Sequence, residues 1–381
     1  MTYARQRLWL GITGVGTTVL LCTAAVVLDL PHRLMHPLAD TSFGTALASI
    51  AFVWMLHALV LLPVDIAGGL FVVRERRGVL RWIAGWVRGV MVQWLVFALA
   101  AALLLRFGQQ FGQTVAILVF LLLQAMLLSR QGLIAWLVGG VTLQDPSIAI
   151  QDAARVAGIA PKSVRVVAGD DPAFVGGWLG SSAQQLWLPA HWVDELGDEP
   201  LSVVLSRRAA VRASGLRRRG VLVAMAWNTA GFVIASSLPR ADLVTAAGFV
   251  MTICWFTLWS FLGVLVLPSV SRPAVFAADA VAARVHDVTL LGTTIAQLDG
   301  WQDDEPERGE RVETIFHPVP SRGARIRALE ARDSSGTVHA AGAWHATRMM
   351  LYLSWAGIGG LARAVHCNVG RPPLWVLLPG D

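Results

Sequence analysis

The sequence predicts a polytopic, mostly α-helical membrane protein with a small α+β domain outside the bilayer. Two observations support this fold class. First, 55% of the 381 residues are hydrophobic and only 15% are charged, which is too apolar for an ordinary soluble domain. Second, several apolar runs reach the roughly 20 residues that an α-helix needs to cross a bilayer.

Hydropathy predicts six membrane spans. The fourth is interrupted by Ser129-Arg130-Gln131, and we expect its helix to continue out of the membrane there. The predicted spans are 8–30, 47–73, 89–105, 114–139, 220–238 and 243–267. They divide the chain into four spans (1–141), a soluble segment (142–219), a hairpin of two spans (220–267) and a second soluble segment (268–381).

Arginine placement predicts the orientation of the spans. Arg5 and Arg7 precede the first span and Arg217 begins a basic run before the fifth, so the positive-inside rule places both termini and the soluble domain in the cytoplasm. Such arginines favour anionic lipid headgroups as partners and argue against nucleic acid, despite the net charge of +6. The chain has one lysine and thirty arginines, a ratio typical of a GC-rich coding sequence. We expect the protein to reside in a bacterial cytoplasmic membrane.

The soluble segments contain a few short predicted elements. We expect a helix over 146–157, strands over 164–167 and 185–188, and a helix over 199–213. Residues 349–362 are apolar but too short to span a bilayer, so we expect them to pack on the soluble domain or to lie in the membrane interface.

The 199–213 helix carries the most informative motif of the chain. Val204-Leu205-Ser206 leads into Arg207-Arg208-Ala209-Ala210-Val211. These eight residues resemble the zinc helix of the integral-membrane zinc peptidases that include HtpX and the CAAX prenyl endopeptidase. In that family a similar preceding sequence is followed by His-Glu-x-x-His.

Three further segments resemble the same family in the same order. Residues 167–196, with Ala173-Phe174, are similar to the segment that leads into the zinc helix, and residues 271–285 are similar to the helix of the third zinc ligand. In the latter, Val275 stands at the ligand position and Asp279 matches a family Asp. The segment 316–329 is similar to a His-Pro motif, with matches at His317, Pro318, Arg325, Ile326 and Leu329.

The resemblance implies a zinc site whose chemistry has been lost. Zinc ligation requires lone-pair donors, and the water-activating Glu must accept a proton. Arg207 and Arg208 are permanently charged, and Val211 and Val275 offer no donor atom. We therefore expect no metal and no cofactor, and we predict that Asp279 forms an ion pair with Arg207 or, failing that, with Arg208.

Other polar residues have ordinary structural interpretations. Asp65, His57 and Asn228 lie in or at the ends of spans, where polar groups are often functional, but His57 and Asn228 are expected to bond neighbouring helices. The isolated cysteines predict neither a disulfide nor a zinc site. Six histidines could in principle form a metal site elsewhere in the fold, but no two of them are four residues apart on a predicted helix. They are His191, His286, His317, His339, His345 and His366. His32 and His36 do lie four apart, but in a predicted outer loop.

The strand Gln185, Leu186, Trp187 and Leu188 is similar to the family's edge strand, which pairs with an extended peptide. It is a candidate partner-binding strand, and an ordinary sheet strand is the alternative. Together these features predict a catalytically inactive homologue acting as a scaffold, adaptor or assembly subunit among other membrane protein subunits. Two alternatives stay open. One is an active peptidase with a non-standard site, and the other is a transporter or channel component. Transporters typically have Gly or Pro breaks in paired helices, and Pro63 alone does not provide such a pair.

Overall fold

The computed structural model describes residues 2–35, 42–72, 78–169, 174–181, 183–302, 305–331, 341–357 and 359–371. His36, Ala173 and His339 lie outside these ranges. The helices are α1 (Tyr3–Val27), α2 (Leu30–Met35), α3 (Phe43–Ile66), α4 (Val79–Phe111), α5 (Gln113–Ser129), α6 (Gln131–Gly139), α7 (Ile148–Val156), α8 (Ala190–Glu195), α9 (Asp198–Ala213), α10 (Leu216–Ser237), α11 (Ala246–Ala282), α12 (Val288–Trp301), α13 (Glu310–Phe316), α14 (Arg322–Glu330) and α15 (Ala346–Leu353).

The membrane part is built from α1, α3, α4, α10 and α11, which are long and apolar enough to span a bilayer, together with the bent pair α5–α6. This agrees with the predicted spans, and the chain is an integral membrane protein. The fourth predicted span differs in one respect. It is not one continuous helix, because the axis turns by 67° at Arg130 between α5 and α6.

One helix joins the membrane to the soluble domain. α11 continues from the sixth predicted span into the 271–285 segment without a break and ends at Ala282, although Pro268 and Pro273 lie inside it. The predicted boundary at 267/268 therefore falls within a single helix. As a result, Val275 and Asp279 are positioned by the same rigid element that crosses the membrane.

A four-stranded sheet forms part of the soluble domain, beside α9. Its strands are β1 (Thr142–Gln144), β2 (Val164–Ala168), β3 (Gly177–Leu179) and β4 (Gln185–Pro189), in the order β1-β2-β4-β3. β2 and β4 are parallel, with Val166 opposite Leu188, and both outer pairings are antiparallel. The predicted helices over 146–157 and 199–213 and strands over 164–167 and 185–188 are all present.

The C-terminal segment, defined here as residues 341–371, packs in the interior of the helix bundle. Tyr352 donates its hydroxyl to the Leu127 carbonyl of α5 at 2.6 Å, and Asn228 of α10 donates to the Met350 carbonyl at 3.0 Å. Helix α15 is buried along its length. The expectation that 349–362 packs on the soluble domain or in the interface is therefore wrong, because its apolar faces are enclosed by the membrane helices.

An ion pair holds this segment inside the bundle. Asp65 at the end of α3 accepts from the Arg363 guanidinium, from Trp86 Nε1 at 2.8 Å and from the Gly370 amide at 3.0 Å. Both charged side chains are buried. Because an isolated charge inside a membrane protein is costly, these contacts fix where the segment lies. Asp65 therefore has a structural role.

The segment also approaches α1 so closely that a side chain is excluded. A Cβ atom added at Gly11 would lie 2.6 Å from the backbone nitrogen of His366, whereas one at Gly16 of the same helix would meet nothing within 4 Å. Gly11 therefore permits helix α1 to touch the C-terminal segment. Arg7, one turn earlier, donates to the His366 carbonyl at 2.7 Å.

This contrast gives a matched pair of substitutions. We expect Gly16→Ala to be neutral or to stabilise by up to about 1 kcal/mol, since alanine is the better helix former. Gly11→Ala is expected to destabilise by about 1–3 kcal/mol through overpacking against the backbone of the C-terminal segment. Thermal unfolding of both variants in the same detergent checks the prediction, and equal stability would contradict the tight approach.

Candidate functional site

Helix α9 carries the motif residues into the centre of the soluble domain. Asp198 and Glu199 in its first turn and Arg212 in its last turn complement the helix dipole. Arg207 and Val211 are one turn apart and share the face towards α11, and both are buried. Arg208 is turned towards the sheet.

The predicted ion pair between Arg207 and Asp279 is confirmed. Arg207 Nε lies 2.7 Å from Asp279 Oδ1, and each side chain is only 1% exposed. Arg325 of α14 adds a second pair, with Nε 2.7 Å from Oδ2 and Nη2 2.8 Å from Oδ1. This triad of Arg207, Asp279 and Arg325 joins α9, α11 and α14. Arg325 was not predicted as part of it, although the sequence resemblance already singled this residue out.

Arg208 joins the helix to the edge of the sheet. Its Nη2 donates to the Val175 carbonyl at 2.9 Å, and Trp178 Nε1 of β3 donates to the Arg208 carbonyl at 2.8 Å. Its guanidinium carbon lies 6.0 Å from the ring centroid of Trp192, within the range of a cation–π contact. Arg208 thus stands at the general-base position of the motif and serves there as a buried structural cation.

The remaining two motif positions form an apolar cluster. Val211 of α9 and Val275 of α11 are both buried there, and Trp344 of the C-terminal segment covers them. Leu216, Ala274, Ala277 and Ala278 complete the cluster. Two methyl-bearing side chains therefore lie at the positions that resemble the second and third ligands.

This donor set does not fit a zinc ion. Zinc in proteins takes imidazole nitrogen, thiolate or carboxylate oxygen. The four motif positions offer two guanidinium cations and two valines, and the nearby carboxylate of Asp279 is bound by two arginines. Among the residues that the structure describes, no group of three or more His, Cys, Asp or Glu is placed to hold a metal.

The other polar candidates are distributed through the fold. His57 bonds Thr18 of α1 at 3.2 Å, and Asn228 bonds the C-terminal segment, so both make interhelical or segment contacts as expected. His317 and His366 have ring centroids 5.2 Å apart. His191 packs against Trp301, and His345 against Trp344.

One side-chain pair has the geometry of a nucleophile and its base. Ser206 Oγ lies 2.8 Å from His286 Nε2. The neighbouring carboxylate of Asp287 instead caps α12. It accepts hydrogen bonds from the Thr289 side chain, the Thr289 amide and the Leu290 amide, and these bonds hold the pKa of Asp287 below its usual value. Ser206 is also in the middle of α9, where the backbone N–H groups are used within the helix. The pair joins α9 to the start of α12.

Of the two interpretations of Gln185–Leu188, the structure contradicts the edge strand and agrees with an ordinary sheet strand. β4 lies between β2 and β3, with Trp187 opposite both Arg165 and Gly177. The Gln184 amide donates to the Leu179 carbonyl at 2.9 Å, and β3 pairs antiparallel with β4 as the last strand on this side. All three residues of β3 are buried, whereas the three residues of β1 at the other edge are exposed, so a peptide that extends the sheet would pair with Thr142–Gln144.

Comparison with known proteins agrees with this architecture. The crystal structure of Ste24p from S. mikatae matches the chain with a TM-score of 0.63 at 14% sequence identity, over 82% of this chain and 80% of that chain. No family model and no curated protein matches the sequence. At this identity the similarity concerns the fold, so the chain has the polytopic membrane fold seen in Ste24p.

Proposed function

We propose that this protein is a catalytically inactive member of the membrane zinc peptidases and acts as a scaffold, adaptor or assembly subunit of a membrane protein complex. The observation that carries the proposal is the buried triad of Arg207, Asp279 and Arg325. The fold similarity to Ste24p, a CAAX prenyl endopeptidase, supports the family.

In the triad, two arginine side chains supply the positive charge that a metal ion would supply in a zinc site. In a zinc site a divalent cation would compensate the nearby carboxylate, and here two guanidinium groups do so within hydrogen-bonding distance. Two buried valines fill the remaining ligand positions with apolar volume. Restoring a catalytic zinc site would require four simultaneous side-chain changes, three at the ligand positions Arg207, Val211 and Val275 and one at the general-base position Arg208, which argues against an active enzyme with a damaged ligand.

The two alternatives find less support. A serine peptidase would need an acid to orient His286 and donors for an oxyanion, and Asp287 and the helical position of Ser206 do not provide them. A transporter would use Asp65 and Asn228 along a path through the bundle. Both residues instead bind the C-terminal segment, which occupies that interior.

A protein without catalytic chemistry must act by binding. We expect stable partners to contact the soluble domain, whose exposed edge strand is β1 (Thr142–Gln144). The outward faces of the spans are a second surface, because large apolar side chains such as Leu20, Phe52 and Leu99 are exposed there.

Gentle-detergent extraction from native membranes, followed by size exclusion and mass spectrometry, tests this proposal. We expect the chain to elute with at least one other protein at a fixed ratio across preparations. An unrelated membrane protein of similar size, carrying the same tag, serves as the control for non-specific co-elution. A lone 41.0-kDa chain in its detergent micelle, with nothing reproducibly bound, would contradict the scaffold function.

A further inference from the structure

A groove of about 480 Å³ lies where the bent pair α5–α6 meets the sheet. Its floor contains Trp187, and its walls include Leu133 and Trp136 of α6, Leu179 of β3 and Arg130 at the bend. None of its lining residues is acidic. The groove therefore combines apolar walls with one cationic side chain and three neutral polar ones, those of Ser129, Gln184 and Gln185.

One charged group at the groove has no partner among the described residues. The Arg130 side chain is exposed at the bend, and no described carboxylate or carbonyl accepts a hydrogen bond from it. Its guanidinium N–H groups are therefore accessible to an anionic ligand.

The apolar wall continues into the lipid-facing surface. Leu133 and Trp136 are about half exposed, and Met126 and Leu122 extend this apolar surface along α5, the arm of the bent span before Arg130. An occupant with a hydrocarbon tail would therefore remain in contact with apolar surface from the membrane to the groove. A Trp at the end of a span is typical of the membrane–water interface.

We propose that this groove binds one anionic glycerophospholipid, with its phosphate at Arg130 and an acyl chain against Leu133 and Trp136. Charge complementarity selects an anionic headgroup, since an arginine with no acid beside it attracts a phosphate. The continuous apolar wall selects a membrane lipid over free phosphate or a polar peptide. This site is independent of whether the protein is an active peptidase.

The test uses full-length protein in phosphatidylcholine nanodiscs that contain a small fraction of a phosphatidylglycerol carrying a photoreactive acyl chain. Peptide mapping is expected to place the label within 129–143 and 179–187. Arg130→Gln should reduce this labelling by roughly tenfold through loss of a charge-assisted hydrogen bond. Trp136→Ala should reduce it through loss of the apolar wall.

Arg33→Gln is the matched control. Arg33 is an exposed arginine on α2, beyond the opposite ends of the spans, so labelling of the groove should be unchanged. Thermal unfolding of each variant verifies that the fold is retained. The proposal is overturned by equal labelling from a phosphatidylcholine probe, by labelling that Arg130→Gln leaves intact, by full competition from millimolar inorganic phosphate, or by a polypeptide found in the groove instead.

Discussion

Replacing Asp279 with asparagine is expected to lower the free energy of unfolding by about 3–5 kcal/mol, because it leaves buried guanidinium groups without their counter-charge. The carboxylate accepts three hydrogen bonds from Arg207 and Arg325, and all three side chains are buried. Asparagine has nearly the same shape but removes the charge and turns one of the two accepting oxygens into an N–H₂ donor that faces guanidinium donors. Thermal or denaturant unfolding in a fixed detergent measures the change.

An exposed ion pair provides the control for this substitution. Asp152 pairs with Arg155 on α7, but both side chains are more than half exposed. Asp152→Asn is therefore expected to change stability by less than about 1 kcal/mol. If Asp279→Asn proved as mild as Asp152→Asn, the triad would not be the element that replaces the metal.

Replacing Arg363 with methionine is expected to have a comparable effect inside the bundle, about 3–5 kcal/mol, because it leaves Asp65 buried with no cation. The C-terminal segment should also be released more easily. Hydrogen exchange of residues 346–369 should accelerate relative to α10.

A double variant separates the lost charge from lost packing. Arg363→Met with Asp65→Asn removes both charges and keeps one carbonyl oxygen, which can accept from either Trp86 Nε1 or the Gly370 amide, whereas the carboxylate accepts from both with different oxygens. We expect it to recover part of the stability lost in Arg363→Met alone. A double variant as unstable as the single one would show that the guanidinium acts by packing instead.

The membrane spans and the soluble helices could be predicted because their signals are local. An apolar run of sufficient length identifies a span, and the frame around Arg207 identifies α9. The ion pair with Asp279 could also be predicted, since the two residues occupy positions that are neighbours in the family that the chain resembles. Arg325 was missed as its partner because the resemblance identifies it in the separate segment 316–329 and does not link that segment to Asp279.

Two other features could not be predicted from local patterns. β3 is three residues long, Gly177–Leu179, which is too short to give a period-2 signal, so its place at the sheet edge was missed. The C-terminal segment combines a short apolar stretch with Arg363, which is typical of an interfacial segment. Its burial depends on a distant carboxylate, Asp65, and on the close approach permitted at Gly11.

In the proposed function, charge and apolar packing have replaced the metal. Zinc content of the purified full-length protein is the decisive measurement. The protein should carry a histidine-free tag, be purified without chelators and be dialysed against zinc-containing buffer before elemental analysis. We expect no stoichiometric zinc, since Arg207, Arg208, Val211 and Val275 offer no ligand atom. About one tightly held zinc per chain would contradict the account.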